Sequence, residues 1–340
     1  MEAKKILIPN KPHLDPIAAI YILGQYGQEQ FPGIDTAEII FYESGEDPSE
    51  EERARLEGEG VLMIDVGGGL FDHHQSQGNI KETSASLAAT YLGVENNPEL
   101  NALLSYVRED DLEGLHNRFG DLAYLLKCMH KQNMSSTEVV QTALQVLHLF
   151  QTSQLDWHQN VHQEYEAKCK IIRVKHFKRK MKVGIIESDN IQVANYGITA
   201  DNLSVVIQLR STGHVMILTN KLHRIDLREI IGAIRKRELE LRGYTEPIDP
   251  KRLQFEGKNS QLPMWFYHRS LNSFLNGSDA LSKTEATKVP FEEIIQFVIY
   301  GLTTDESEFC DCAQGGANCP FANYGFSKCA AKRRGEIYES

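Results

Sequence analysis

The residues best equipped for chemistry lie in one stretch, Ile64-Asp65-Val66-Gly67-Gly68-Gly69-Leu70-Phe71-Asp72-His73-His74-Gln75. A hydrophobic strand ends in a carboxylate, and glycines let the backbone turn tightly or approach another group closely. A second carboxylate and two imidazoles begin seven residues after Asp65. Carboxylate with neutral imidazole suits a Mn²⁺, Fe²⁺ or Zn²⁺ centre, whereas an all-oxygen set suits Mg²⁺ or Ca²⁺. Adjacent side chains of an extended segment point to opposite sides, so His73 and His74 are not expected to share one ion: one ligates while the other faces substrate. Upstream, Pro12-His13-Leu14-Asp15-Pro16 supplies an imidazole and a carboxylate at i, i+2 spacing. Downstream, Arg108-Glu109-Asp110-Asp111-Leu112-Glu113-Gly114 offers either a further acidic ligand or a solvated helical surface, and Asp110 competes with Asp111 for that role.

Positioning these groups requires strands that end where the groups begin. Lys5–Pro9, Glu38–Tyr42 and Val61–Val66 read as buried strands, with Asp15–Gln25 and Ser84–Leu92 as helices packed on them. Such alternation implies a parallel sheet with helices on both faces, whose ligands gather at the carboxyl ends of the strands. From Glu99 to about Phe177 the pattern is mostly helical, with apolar spacing in Leu122–Met129 and Val139–Phe150. Strands are then expected at Lys182–Glu187, Leu203–Leu209 and His214–Thr219, a helix at Asp226–Arg242, and a further helix starting at Pro290. The expected fold is α/β: a parallel-sheet domain over 1–150, a connecting helix and basic stripe over 151–180, a smaller α/β domain over 181–305, and a cysteine-rich tail over 306–340.

Asp72-His73-His74 after a glycine-rich turn, an Asp ending the preceding strand and a His/Asp motif after the first strand resemble the DHH phosphoesterase superfamily. Asp65-Val66-Gly67-Gly68, Phe71-Asp72-His73-His74-Gln75 and the helix opening Thr83-Ser84-Ala85-Ser86 are particularly similar to the melanocyte-proliferating-gene family, an offshoot with 3′–5′ exoribonuclease activity. The resemblance covers residues 5–115 and is strongest over 62–93. It implies His13, Asp15, Asp65, His74 and Asp111 as metal ligands, with Asp65 bridging two ions. It also implies that Asp72 orients an imidazole and that His73 faces the scissile phosphate. The superfamily's first motif usually begins with a His or Asn four residues before the position of His13, where this chain has Pro9, and has Asp where this chain has His13. The implied reaction is metal-dependent hydrolysis of a phosphodiester in short or single-stranded nucleic acid or a nucleotide. Two ions ~3.5–4 Å apart would activate water and stabilise charge on the phosphate. The alternatives are a hydrolase of pyrophosphate or polyphosphate, and a non-catalytic nucleic-acid or nucleotide binding protein whose metal site is degraded at Pro9.

The second half carries weaker signals. Arg210-Ser211-Thr212-Gly213-His214 has the character of an anion-binding turn for substrate, and equally that of an ordinary hairpin turn. Trp265-Phe266-Tyr267-His268-Arg269 either stacks a base or forms an aromatic core. Eight of the fifteen residues from Lys168 to Lys182 are Lys or Arg, either a solvated face or a guide for a polyanion. Cys310, Cys312, Cys319 and Cys329 form C-x-C-x₆-C-x₉-C, which fits a structural Zn²⁺ or an iron–sulfur cluster, with free thiols as the alternative.

With 340 residues, a net charge of −11 and 41% hydrophobic residues, the composition is that of a soluble globular protein of two domains. No apolar run approaches the ~20 residues of a membrane span, and the N-terminus lacks the pattern of a secretory signal. A cytoplasmic location without membrane association is expected. Oligomeric state is not legible.

Overall fold

Runs of branched aliphatic residues build the first three strands: β1 (Lys5–Pro9), β2 (Glu38–Tyr42) and β3 (Val61–Met63). They pair in parallel in the order β2-β1-β3. The computed structural model describes residues 2–43, 48–74, 81–176, 179–277, 284–303 and 321–327. The chain divides into two units, Met1–His158 and Gln159–Ser340.

In the first unit, alternation along each strand sends side chains to two faces. Ile6, Ile8, Leu62 and Ile64 join one core with α1 (Leu14–Tyr26), and Leu7, Val61 and Met63 join another with Leu56 of α2 (Glu50–Gly58). Both faces of the sheet are therefore covered, as the buried strands require. The larger core also takes in α3 (Ser84–Leu92), α4 (Pro98–Asp111), α5 (Leu122–Lys131) and α6 (Ser136–Asp156). Capping boxes at Thr83/Ser86 and Ser135/Glu138 fix where α3 and α6 start.

The second unit opens with α7 (His162–Lys168), β4 (Lys170–His176), β5 (Arg179–Glu187) and α8 (Ile191–Thr199). It continues through β6 (Val205–Leu209), β7 (Val215–Thr219), α9 (Arg228–Leu241), β8 (Gly257–Asn259), β9 (Leu262–His268), β10 (Ser273–Asn276) and α10 (Phe291–Leu302). The strands form one sheet in the order β4-β5-β6-β7-β10-β9-β8. β5 and β6 run parallel and the other neighbouring pairs run antiparallel.

The mixed α/β architecture agrees with the reading of the sequence, and several particulars differ, among them strands β8, β9 and β10, which the sequence reading does not place. The helical pattern expected to reach Phe177 stops at Lys168, because Lys170–His176 alternates and pairs with β5 as a strand. The second unit is longer than the first, since it begins at Gln159 and takes in α7 and β4, which precede the expected boundary at 181. β3 ends at Met63, and Ile64 makes an isolated bridge to Phe71. Cys310, Cys312, Cys319 and Cys329 lie outside the described residues, as do Gln75 and Lys178. Among the described residues no helix is long and apolar enough to cross a membrane.

Candidate metal centre

Asp65 stands where β3 gives way to the glycine turn. Its backbone is left-handed, with φ of 60°, followed by Gly67 at 79° and Gly68 at 62°. Asp tolerates this region better than most residues, yet a buried example is strained. Its N–H donates to the Phe71 carbonyl at 3.0 Å, which closes the loop behind it. Asp72 holds that loop from the other side: its Oδ2 accepts from the Gly68 N–H at 2.7 Å. Its Oδ1 accepts from the His74 N–H at 3.0 Å and lies 2.9 Å from the His74 ring Nδ1. Arg53 of α2 adds a bond from Nη1 to the Gly68 carbonyl at 3.2 Å.

The Asp72 to His74 bond bends the chain, as carboxylates two residues before an amide commonly do. The expected extended segment is therefore absent, and the two imidazoles lie on the same side with ring centroids 4.3 Å apart. His73 is buried, its Nε2 3.3 Å from Asp65 Oδ1, 3.4 Å from Asp111 Oδ2 and 3.8 Å from Asp15 Oδ2. His74 sits at the mouth, with 59% of its side chain exposed and Nδ1 3.5 Å from Asp65 Oδ1. The expectation that the two rings face apart is overturned by this bend, and it is His73 that lies deepest among the carboxylates.

The β1–α1 connection delivers His13 and Asp15. His13 is the residue before α1, with Nε2 3.0 Å from Asp65 Oδ2 and Nδ1 3.5 Å from Asp111 Oδ1. His130 of α5, 3.0 Å from the Pro12 carbonyl, steadies this turn. Pro9 ends β1 opposite Tyr42 and offers no side-chain donor atom. Asp15 accepts the N–H groups of Ser84 and Ala85 at 2.7 and 2.8 Å, so its carboxylate caps the N-terminus of α3, where the helix dipole favours a negative charge. The Ser84 hydroxyl reaches Asp65 Oδ1 at 3.2 Å. Neither Ser84 nor Arg53 was singled out individually from sequence; the Thr83-Ser84-Ala85-Ser86 capping pattern is the signal that points to Ser84.

Helical geometry separates the acidic run. Successive residues project ~100° apart, so Glu109 turns to His116 at 3.1 Å, Asp110 to Lys127 at 3.5 Å, and Asp111 to His13 and His73. Of the two carboxylates, it is Asp111 that lies beside the imidazoles.

Concentrated carboxylate reshapes the titration of the cluster. Burial opposes the Asp65 charge, but hydrogen bonds with His13 and His73 and the charges of His13 and His74 outweigh it, holding the carboxyl well below its ordinary range. The hydrogen bond to Asp65 lifts His73 to about 8 against the effect of burial, with Asp15, Asp65 and Asp111 adding to the rise. Burial disfavours charge on His13, yet its bond to Asp65 and the nearby carboxylates raise it overall. Asp15 is pushed up, chiefly by burial, against the bonds from Ala85 and Ser84. Two sets of side chains, Asp65/His73/His74 and Asp15/His73/Asp111, each place their ligand atoms within 4.8 Å of one another. The oxygen and imidazole donors and the converging negative charge around the buried His73 and the half-buried His13 could hold a metal ion.

The other sequence motifs lie in the second unit. Arg210–His214 is the turn joining β6 to β7, closed by the Gly213 N–H to the Arg210 carbonyl at 2.9 Å, with Gly213 at φ 80°. Its Ser211 N–H and hydroxyl both donate to Asp189, at 2.9 and 2.7 Å. His214 is held between the Thr212 hydroxyl and the Thr284 carbonyl, both at 2.8 Å. The turn therefore holds an anion of its own, the Asp189 carboxylate. Trp265 and Tyr267 are core residues of β9: Trp265 stacks on Phe274 at 4.3 Å and donates Nε1–H to Glu238 at 3.0 Å. Trp265 and Tyr267 thus belong to an aromatic core, while Phe266 and His268 are half-buried, their rings 5.9 Å apart.

No protein-family model matches the chain, and no curated protein is similar to it. Among solved structures, an uncharacterized protein from Helicobacter pylori G27 is 12% identical, over 86% of this chain and 97% of that one, with a TM-score of 0.24. A likeness that small carries no weight for fold or function.

Proposed function

We propose that the chain is a metal-dependent phosphohydrolase of the DHH type, cleaving a phosphodiester in short or single-stranded nucleic acid or in a nucleotide. The reading rests on the convergence of Asp15, Asp65 and Asp111 with His13, His73 and His74 at one end of a parallel sheet. Asp65 presents Oδ2 to His13 and Oδ1 to His73 and His74, an arrangement suited to a carboxylate shared between two ions. Pro9 leaves one customary ligand position without a donor, while His13, at the next position of that motif, lies 3.0 Å from Asp65 and 3.5 Å from Asp111, which supports a donor set built around His13.

Bound divalent ions would supply Lewis acidity towards phosphate and lower the pKa of an attacking water. The chain's own residues do the remainder. His73, buried among three carboxylates, serves as a ligand, contrary to the role implied by resemblance. His74 is placed by Asp72 through Nδ1, which leaves the far side of an exposed imidazole to exchange a proton with a substrate oxygen. Ser84 and the α3 amides hold Asp65 and Asp15 in orientation, so these carboxylates need not rearrange when charge develops.

The test is hydrolysis of bis(p-nitrophenyl) phosphate and of pyrophosphate by the purified chain with Mn²⁺ or Mg²⁺, with bound metal measured in parallel. Hydrolysis of the diester, faster with Mn²⁺ and lost together with metal in Asp65→Asn, is the expected result. A chain that binds no Mn²⁺ at saturation, or that hydrolyses only pyrophosphate, overturns the reading.

A further inference from the structure

The β4–β5 pair carries charge in an unusual register. Val174 lies opposite Met181 and both enter the core, as does Val183 opposite the half-buried Ile172. Strand alternation then sends Arg173, Lys175, Lys180 and Lys182 to the opposite face. Arg173 pairs directly across from Lys182, and Lys175 from Lys180. Four cations are thus gathered on one face in a chain whose net charge is −11, although like charges directly opposite in an antiparallel pair repel. The Lys182 ammonium is partly balanced by Asp201 at 3.1 Å, which also accepts from Tyr165. β4 is an edge strand, and cations on an edge discourage pairing with another chain. That purpose is met by β4 alone. It does not account for Lys180 and Lys182, which lie one strand inward.

We infer that the two cation rungs of β4–β5 are a binding surface for the phosphate backbone of single-stranded nucleic acid. Two rungs two residues apart place cation pairs ~7 Å from each other along the strand, a row of positive charge that a flexible chain of phosphates can follow. The contact reads backbone charge and not base identity, since phosphate contacts position without specifying sequence. The choice of nucleic acid over another polyanion rests on the phosphodiesterase reading above; the surface itself does not. Among the described residues of the pair, Ile171 is the exposed large apolar side chain, which gives little for insertion into a lipid surface.

Binding is measured on the full chain in chelator, so that hydrolysis and binding are separated. A fluorescent oligouridylate is titrated across a salt series, with anionic phosphatidylserine vesicles as a second probe. Lys175→Gln/Lys180→Gln removes one rung, and an unchanged urea midpoint of the double variant checks that its fold is kept. The expected result is binding of the oligonucleotide whose log–log salt slope becomes shallower by about 1.4 in the double variant. The corresponding loss of affinity at 0.1 M salt is about 25-fold. Lys131→Gln, an exposed cation of α5, should leave both unchanged. An unaltered slope in the double variant, an equal loss in Lys131→Gln, no oligonucleotide binding by the unaltered chain, or binding to vesicles alone overturns the inference. Loss of diester hydrolysis with binding intact would count against the metal centre and leave this surface standing.

Discussion

At the level of single residues, the centre depends on what bends the chain after the glycine turn. His73→Ala should strip bound Mn²⁺ and diester hydrolysis together, whereas His74→Ala should keep most of the metal and lose turnover ~10²–10⁴-fold. Metal content and single-turnover hydrolysis of the two variants separate these outcomes, and the reverse pattern would restore the assignment implied by resemblance. Gly67→Ala meets both a positive φ and Met63 Sδ at 3.1 Å from the added methyl carbon. It should destabilise the chain by about 1–2 kcal/mol, read as a lower urea midpoint. That these carboxylates and imidazoles gather in one place was legible from sequence, because such groups at strand ends advertise themselves. The depth of each histidine was not, because it follows from the Asp72 carboxylate bonding its neighbour's backbone, and no residue pattern distinguishes that bend from a strand.

At the level of elements, legibility followed the source of each element's stability. β1, β2 and α3 appear over the spans read from sequence, since uninterrupted branched aliphatics and a capping box leave little choice. β4 was hidden because Lys and Arg fill its outward positions, and β8 because Gly257-Lys258-Asn259 has no hydrophobic pattern and is held by β9. α9 supplies the clearest prediction. Glu238 is fully buried there, accepting from Trp265, Thr287, the Lys288 N–H and Arg242. Burial alone would raise its carboxyl, and these bonds more than reverse that, leaving it below its ordinary range. A depressed folded value contributes stability above the unfolded value, about 4.3 for Glu, which is lost as pH falls through the folded one. Glu238→Gln should therefore cost about 1–3 kcal/mol near neutrality and flatten the loss of stability on acidification. Urea unfolding followed by Trp265 fluorescence in a Trp157→Phe background checks both.

At the level of the whole molecule, the chain has two units with separate hydrophobic cores. The metal centre draws every side chain from the first unit, so a bound ion should stabilise that unit's local structure. With Mn²⁺ at ~100 times its dissociation constant, amides that exchange only when the centre opens gain about 2.7 kcal/mol of protection. Hydrogen exchange should slow at Asp65, Ser84 and Ala85 and stay unchanged through α9. Uniform slowing across both units, or none at Ser84, would count against a metal held by Asp15 and Asp65.

The left-handed backbone at Asp65 also constrains which mutations this gene can tolerate. The position demands two things at once: a conformation easy for Gly, Asn and Asp, and a negative charge facing three imidazoles. Glutamate keeps the charge but lacks the short side chain that suits left-handed backbone, at a cost of about 1–2 kcal/mol. Asparagine keeps the conformation and forfeits the charge. In a saturation library sorted first for soluble expression and then for diester hydrolysis, Asp65→Asn should survive the first selection better than Asp65→Glu and fail the second. Aspartate alone should pass both. Conformation and charge thus exclude different neighbours of the same residue, leaving the codon almost no room to drift.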